Sequence, residues 1–206
     1  LDRDIDPQMR RTANRAIARG VISPKAGLMW AFFLSLSGTL WLIEFANEVA
    51  AFWAAFSILF YVFIYTLWLK RRSVQNIVIG GIAGATPPLV GWAAAMGDAA
   101  SISNPFDLGS FLPWLMFALI FLWTPPHFWA LALYRSDQYK EAGIPMMPWV
   151  HGPHRTMIEM RVYALILIGI AAMPWLNPAE VGELAAYLYT LIVLVLGIWY
   201  NQSVIS

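Results

Sequence analysis

Phe56-Ser57-Ile58-Leu59-Phe60-Tyr61-Val62-Phe63-Ile64-Tyr65-Thr66-Leu67-Trp68-Leu69-Lys70-Arg71-Arg72 decides the fold, because an uncharged run that reaches back to residue 49 meets three consecutive cations. A run over 49–69 is long enough to cross a bilayer, which takes about 20 mostly apolar residues. A basic triplet at its end is what a stop-transfer boundary looks like. Working outward, further apolar windows fall at 27–46, 76–97, 110–134, 160–177 and 183–201, so six spans are expected. The connections alternate in charge. Arg3, Arg10, Arg11, Arg15, Arg19 and Lys25 precede the first window, Lys70, Arg71 and Arg72 follow the second, and Arg135, Lys140, Arg155 and Arg161 follow the fourth. The opposite connections hold Glu44, Glu48, Asp98, Asp107, Glu180 and Glu183 without a Lys or Arg. The positive-inside rule puts the basic connections in the cytoplasm, or in the matrix of a mitochondrion. Trp41, Trp114, Trp149, Trp175 and Trp199 lie near window ends, where indoles suit the headgroup region.

The composition agrees. The 206 residues are 60% hydrophobic with a net charge of +1, and a mean hydropathy of +0.61 is too apolar for a soluble domain. With no Cys there is no disulfide framework and no thiolate metal site. The chain starts at Leu1, inside a charged motif, and is read here as a fragment. Two windows are unusual. Gly80, Gly81, Gly84 and Ala85 line the third, followed by Pro87-Pro88, a pattern that permits close helix approach and frees carbonyls that need other partners. It is not a phosphate-cradling loop, since no Gly-Lys-Ser/Thr follows. The fourth window contains Trp123-Thr124-Pro125-Pro126-His127-Phe128-Trp129, which predicts a break and an imidazole facing the bundle interior or a cavity. His127 is read either as a functional group or as a core histidine bonded to a carbonyl freed near Pro125.

The charged residues on the cytoplasmic face carry the chemistry. Asp2 and Asp6, four apart, put both carboxylates on one face if the segment is helical. Carboxylates that converge repel unless a cation lies between them, and Mg²⁺ suits because it takes hard oxygen ligands and bridges carboxylates to substrate phosphates. Arg11 and Arg15 offer forked donors to phosphate oxygens, and Lys70 and Arg71 add further positive charge. The plainer readings are a solvated loop for the aspartates and a membrane boundary for the basic triplet. Asp137 can help hold a second cation or pair with Arg135 or Lys140. Gly143-Ile144-Pro145-Met146-Met147-Pro148-Trp149, apolar but outside any window, is either a flap over a cavity mouth or an interfacial anchor.

Together these stretches resemble the UbiA superfamily of intramembrane prenyltransferases and, more narrowly, its protohaem IX farnesyltransferase (haem O synthase) branch. The resemblance rests on Asp2-Arg3-Asp4-Ile5-Asp6 with Arg11 and Arg15, on Trp68-Leu69-Lys70-Arg71-Arg72 with Gln75-Asn76-Ile77-Val78-Ile79-Gly80-Gly81, on Gly84-Ala85-Thr86-Pro87-Pro88, and most specifically on Trp123–Leu131 with Asp137, Tyr139 and 143–146. It implies an all-α polytopic transmembrane bundle of nine helices, of which about six are present. Residues 1–206 would then form one prenyltransferase domain lacking N-terminal spans, the last span and an Asn expected shortly before Asp2. It implies farnesyl transfer from farnesyl diphosphate to a vinyl group of haem b, giving haem O, with Mg²⁺ on Asp2, Asp6 and Asp137. Arg11, Arg15, Lys70 and Arg71 would bind diphosphate, and His127 would ligate haem iron or touch a propionate. Farnesyl diphosphate, haem b, the lipid bilayer and haem A synthase are the implied partners, with no nucleic acid. The implied location is the bacterial cytoplasmic membrane rather than the mitochondrial inner membrane. Two other classes compete: a prenyltransferase of the same superfamily acting on an aromatic or quinone-precursor acceptor, and a transporter with a midplane site. The depleted second acidic motif weighs against the former, and the absence of an internal repeat against the latter.

Overall fold

The computed structural model describes residues 1–176 and 178–203; the last three residues of the expected domain and the side chain of Glu180 lie outside them. The described residues are helices and their connections, without strands. Five helical segments are long and apolar enough to cross a membrane: Pro24–Phe45, Glu48–Leu69, Asn76–Ala99, Leu112–Tyr134 and Met147–Leu176. The sixth expected window is a further apolar helix whose apolar stretch, Glu183–Trp199, is shorter. Large apolar side chains such as Trp30, Phe33, Trp41, Leu165 and Leu191 are exposed on the outside of the bundle. In water such a surface would be untenable, and in lipid it is the natural outer face. The chain is an integral membrane protein.

Local chemistry sets the ends. Helix α1 (Pro24–Phe45) starts with Ser23 accepting a hydrogen bond from the Ala26 N–H and proline at its first position. Helix α2 (Glu48–Leu59) is capped by Asn47, whose Oδ1 accepts from the Ala50 N–H while its Nδ2 donates to the Ala93 and Gly97 carbonyls. One side chain thus caps a helix and fastens it to the end of α4 (Pro87–Met96). From Phe60 to Leu69 the α2 segment continues as a π-helix, in which the Thr66 hydroxyl and the Lys70 N–H reach the carbonyls of Tyr61 and Tyr65, five residues back.

The third window is two helices, α3 (Asn76–Ala85) and α4, joined at Thr86. Pro87 and Pro88 have no N–H to give to the Ala83 and Gly84 carbonyls. The Ala83 oxygen is satisfied instead by the Thr86 hydroxyl at 2.8 Å and by the Ser57 hydroxyl of α2 at 2.9 Å. The break expected at Pro125-Pro126 does not occur: helix α5 (Leu112–Tyr134) runs through both prolines, with the Thr124 hydroxyl bonded to the Ile120 carbonyl at 2.7 Å. A short α6 (Ser136–Glu141) follows.

Helix α7 (Met147–Ala171) begins well before the window predicted at 160, and Gly152 at φ 83° kinks it just before Pro153. The sequence window started late because His151, His154, Arg155 and Glu159 lower the hydropathy of the residues before 160. Arg155 and Glu159 form an ion pair of 2.5 Å along the helix. Helix α5 packs chiefly against α7 and α3, and α7 also meets α8 (Glu183–Ser203).

Two apolar clusters close opposite ends of the bundle. Val49, Ala50, Trp53, Leu89, Ala93 and Leu108 pack one end, where the Trp53 and Trp92 indoles donate to the Pro105 and Leu108 carbonyls and tie down the α4–α5 connection. At the other end Ile5, Met9, Ile77, Ala132, Tyr139, Ala142, Ile144 and Met146 bring together the N-terminal segment, the start of α3, the end of α5, α6 and the 144–146 stretch. The charged segments that the sequence assigns to a single membrane face meet there.

Candidate active site

A cavity of about 510 Å³ opens among these segments, within the range of small-molecule sites. Its charged lining is Asp2, Asp6, Arg11, Arg15 and Lys70. The Asp2–Asp6 stretch is not a regular α-helix. It is a turn in which the Asp6 N–H bonds to the Asp2 carbonyl at 2.8 Å, followed by a single 3₁₀ turn, Asp6–Gln8. Pro7 limits further helix, and Ile5 and Met9 are drawn into the apolar cluster instead. The two carboxylates still face the same cavity, as the spacing predicts, but each meets a different cation.

Lys70 Nζ pairs with Asp2 Oδ2, and Arg15 Nη1 reaches both oxygens of Asp6 at 3.1 and 3.3 Å. Arg71 points away from this lining: it clamps Asp4 through two bonds of 2.5 and 2.7 Å, with Asp2 Oδ1 at 3.7 Å. That guanidinium holds the exposed Asp4 carboxyl down at about 2, and the carboxylate in turn raises Arg71 above its ordinary value. Arg11 is exposed at the cavity, and among the described residues it makes no ion pair.

Asp2 Oδ1 is buried and, among the described residues, accepts no hydrogen bond. Such a carboxylate oxygen, with no hydrogen bond and only the 3.7 Å contact from Arg71, in a cavity that the Asp6 carboxylate also lines, offers hard-oxygen donors that fit a divalent cation such as Mg²⁺. Asp137 stands apart from it, exposed on α6 and outside the cavity lining, although Tyr139 two residues later is buried and does line the cavity. Among the described residues no three His, Cys, Asp or Glu side chains converge as a metal site.

Inward from the charged end the lining turns apolar. It runs back along α2 from Lys70 to Tyr65 and Tyr61, forward along α3 from Asn76 and Ile77 to Gly80, Gly81 and Gly84, and back along α5 from Phe128 to Trp123, Thr124 and Ile120. Ile144 and Met146 complete the wall, with the Trp149 indole donating to the Ile144 carbonyl at 2.6 Å. The 143–149 stretch therefore packs over the charged end of the cavity, in the manner of the flap rather than of a membrane anchor. Asn76 is a residue whose part sequence reasoning missed. It is 1% exposed, and its Nδ2 donates to the Pro145 carbonyl at 3.0 Å and the Lys70 carbonyl at 3.4 Å, holding that stretch to the Lys70 turn. The signal for it was a polar residue opening an otherwise apolar span.

His127 lines a different cavity, also about 510 Å³, between α5, α7 and α8. Its ring stacks on Trp123 at 4.3 Å, and Trp123 lines both cavities.

The described residues thus form a membrane bundle enclosing a cavity with paired carboxylates and cations at one end and apolar walls beyond. The chain belongs to the UbiA prenyltransferase family, whose profile matches residues 1–206. It is similar to a protoheme IX farnesyltransferase of Rhodopseudomonas palustris (strain BisB5), at 49% identity over 84% of this chain and 52% of the relative. The corresponding protein of Beijerinckia indica subsp. indica is 49% identical over 95% of this chain and 56% of the relative. That of Acidiphilium cryptum (strain JF-5) is 47% identical over 99% of this chain and 61% of the relative. The chain thus spans little more than half the length of the curated relatives it matches. No solved structure matches it significantly.

Proposed function

We propose that the protein transfers the farnesyl group of farnesyl diphosphate to a vinyl group of haem b, giving haem O and diphosphate. The observation that carries this reading is a single cavity, charged at one end and apolar along the rest, in a chain about half identical to enzymes named for that reaction.

Asp2 and Asp6 would hold Mg²⁺, which when bound offsets the charge of the diphosphate and makes it a better leaving group. Lys70 and Arg15, each resting on one of those carboxylates, turn to the phosphate oxygens, and exposed Arg11 joins them. Arg71 acts on the same segment through Asp4 and Asp2, fixing the turn that presents the carboxylates. As the carbon–oxygen bond to diphosphate breaks, its electron pair leaves with the diphosphate. The terminal vinyl carbon forms the new carbon–carbon bond, and the resulting cation beside the porphyrin takes the oxygen of water and releases a proton. The apolar walls keep water from the allylic carbon before that bond forms. His127, stacked on Trp123 at the boundary of the second cavity, is the residue for the haem, as an iron ligand or a propionate contact. Asp137 is the residue for a second cation. The protein would work in the bacterial cytoplasmic membrane, as one prenyltransferase domain, and pass haem O to haem A synthase.

The test supplies membranes holding the full-length protein with haem b, farnesyl diphosphate and Mg²⁺ and looks for haem O by chromatography and mass spectrometry. Product that vanishes with EDTA and in Asp6→Asn supports both the reaction and the metal. Folded protein that takes up haem but forms no haem O overturns the reading.

A further inference from the structure

We infer that Gly84 sets the length of isoprenoid chain the cavity accepts, an inference that rests on the proposed function. The three cavity-lining glycines of α3 are not equivalent. A Cβ at Gly80 would lie 2.3 Å from the Tyr65 ring, and one at Gly81 would lie 3.3 Å from the Thr124 methyl, so these two are small because neighbouring helices press on them. Gly84 lines the same cavity where it is open, being exposed, and a Cβ there would meet nothing within 4 Å. Its missing side chain leaves open cavity rather than making room for a helix.

Its place along the helix gives that space a meaning. Asn76 marks the polar end: it is almost wholly buried, its side-chain oxygen accepts no hydrogen bond among the described residues, and its amide reaches the carbonyl of Lys70, whose ammonium holds Asp2. Gly84 lies eight residues further along α3, about 12 Å deeper at 1.5 Å per residue. With the diphosphate at Lys70, the hydrocarbon tail runs along α3 toward Gly84, and a side chain there shortens the cavity from its far end. Longer chains lose binding first and the head group is untouched.

The test measures binding of geranyl, farnesyl and geranylgeranyl S-thiolodiphosphates, which resist ionisation, and of inorganic diphosphate as the tail-free control. The proteins are wild type, Gly84→Ala, Gly84→Leu and Gly91→Leu in lipid nanodiscs. Gly91, like Gly84, is exposed with open space around it, but it does not line the cavity. Gly84→Leu is expected to lower farnesyl relative to geranyl affinity by about tenfold or more, and Gly84→Ala by less. Inorganic diphosphate should bind as before, and Gly91→Leu should match wild type. If Gly84→Leu does not fold, as judged by loss of inorganic diphosphate binding, Gly84→Ala decides. An unchanged farnesyl-to-geranyl ratio, or an equal shift in Gly91→Leu, overturns the inference while wild-type farnesyl binding leaves the proposed function standing. A wild type that holds the farnesyl probe no better than inorganic diphosphate overturns the proposed function and the inference with it.

Discussion

Arg71 and Asp4 show how a single ion pair can be structural beside a site that uses the same chemistry for catalysis. The Arg71 guanidinium lowers the Asp4 carboxyl to about 2. A carboxyl whose value is depressed on folding contributes stability above its unfolded value and loses it as pH falls through the folded one. Its stabilisation is therefore full at neutral pH, declines below about pH 4 where the unfolded carboxyl protonates, and is lost as pH falls toward 2, where the clamp itself opens. A carboxyl-carbon NMR titration of Asp4 should show this directly, and Arg71→Gln should return the midpoint to the ordinary aspartate range. Asp6→Asn tests the neighbouring pair. It leaves Arg15 without its bidentate anion and should cut prenyl transfer by about a hundredfold or more, as loss of charge stabilisation at a leaving group does. Single-turnover kinetics on haem b would read that loss. At this scale the sequence was informative about residue type and shared location, and less so about partners. The four-residue spacing placed Asp2 and Asp6 at one cavity, but Pro7 and the burial of Ile5 and Met9 decided that the segment is a turn. Nothing in the spacing said that Lys70 would take Asp2 and Arg71 would take Asp4.

The helices divide into those whose breaks follow from local sequence and those whose breaks are overruled by packing. Pro87-Pro88 ends α3 because the carbonyl it frees has hydroxyl partners on Thr86 and Ser57. Removing both hydroxyls, by Ser57→Ala with Thr86→Val, should cost more than the sum of the single changes. Either hydroxyl alone still satisfies the Ala83 oxygen, whereas losing both leaves it only the long 3.4 Å bond from the Thr86 N–H, and an under-satisfied buried carbonyl costs about 1–3 kcal/mol. A double-mutant cycle of thermal unfolding in nanodiscs measures this. Pro125-Pro126 looks the same in sequence yet leaves α5 intact, with Pro125 and Pro126 buried in the bundle. Proline content alone could not separate the two cases. The seam between α3 and α5 offers a cleaner test. Gly81→Val puts a branched side chain against Thr124, should destabilise by about 1–3 kcal/mol, and should be partly rescued by Thr124→Ala, which unfolding of the three variants would show.

At the scale of the whole molecule, the gathering of the charged connections at one end of the bundle was the most legible property, because it depends only on where cations sit between apolar windows; the cytoplasmic assignment of that end is the expectation to check. The structure gathers Asp2, Lys70, Tyr139 and Ile144 around one end and Trp53, Leu89 and Leu108 at the other. A chain without cysteine is ready for a direct check. Single cysteines at the exposed positions Asp137 and Asp107 should react with a membrane-impermeant maleimide from opposite sides of sealed vesicles. Less legible was the separation of His127 from the acidic cavity, since sequence proximity to Trp123 and Phe128 cannot say which side of α5 each one faces. The ion pairs that line the cavity have a kinetic consequence as well. Three cations and two carboxylates face it, a balance of only +1, and both carboxylates are already matched at contact distance. The lining itself therefore adds little field, but the connections around it carry 13 Lys and Arg against six acidic residues. An approaching polyanion is steered by that basic face rather than by the lining, so its arrival rate should fall as ionic strength rises, with discrimination left to the exchange of partners after encounter.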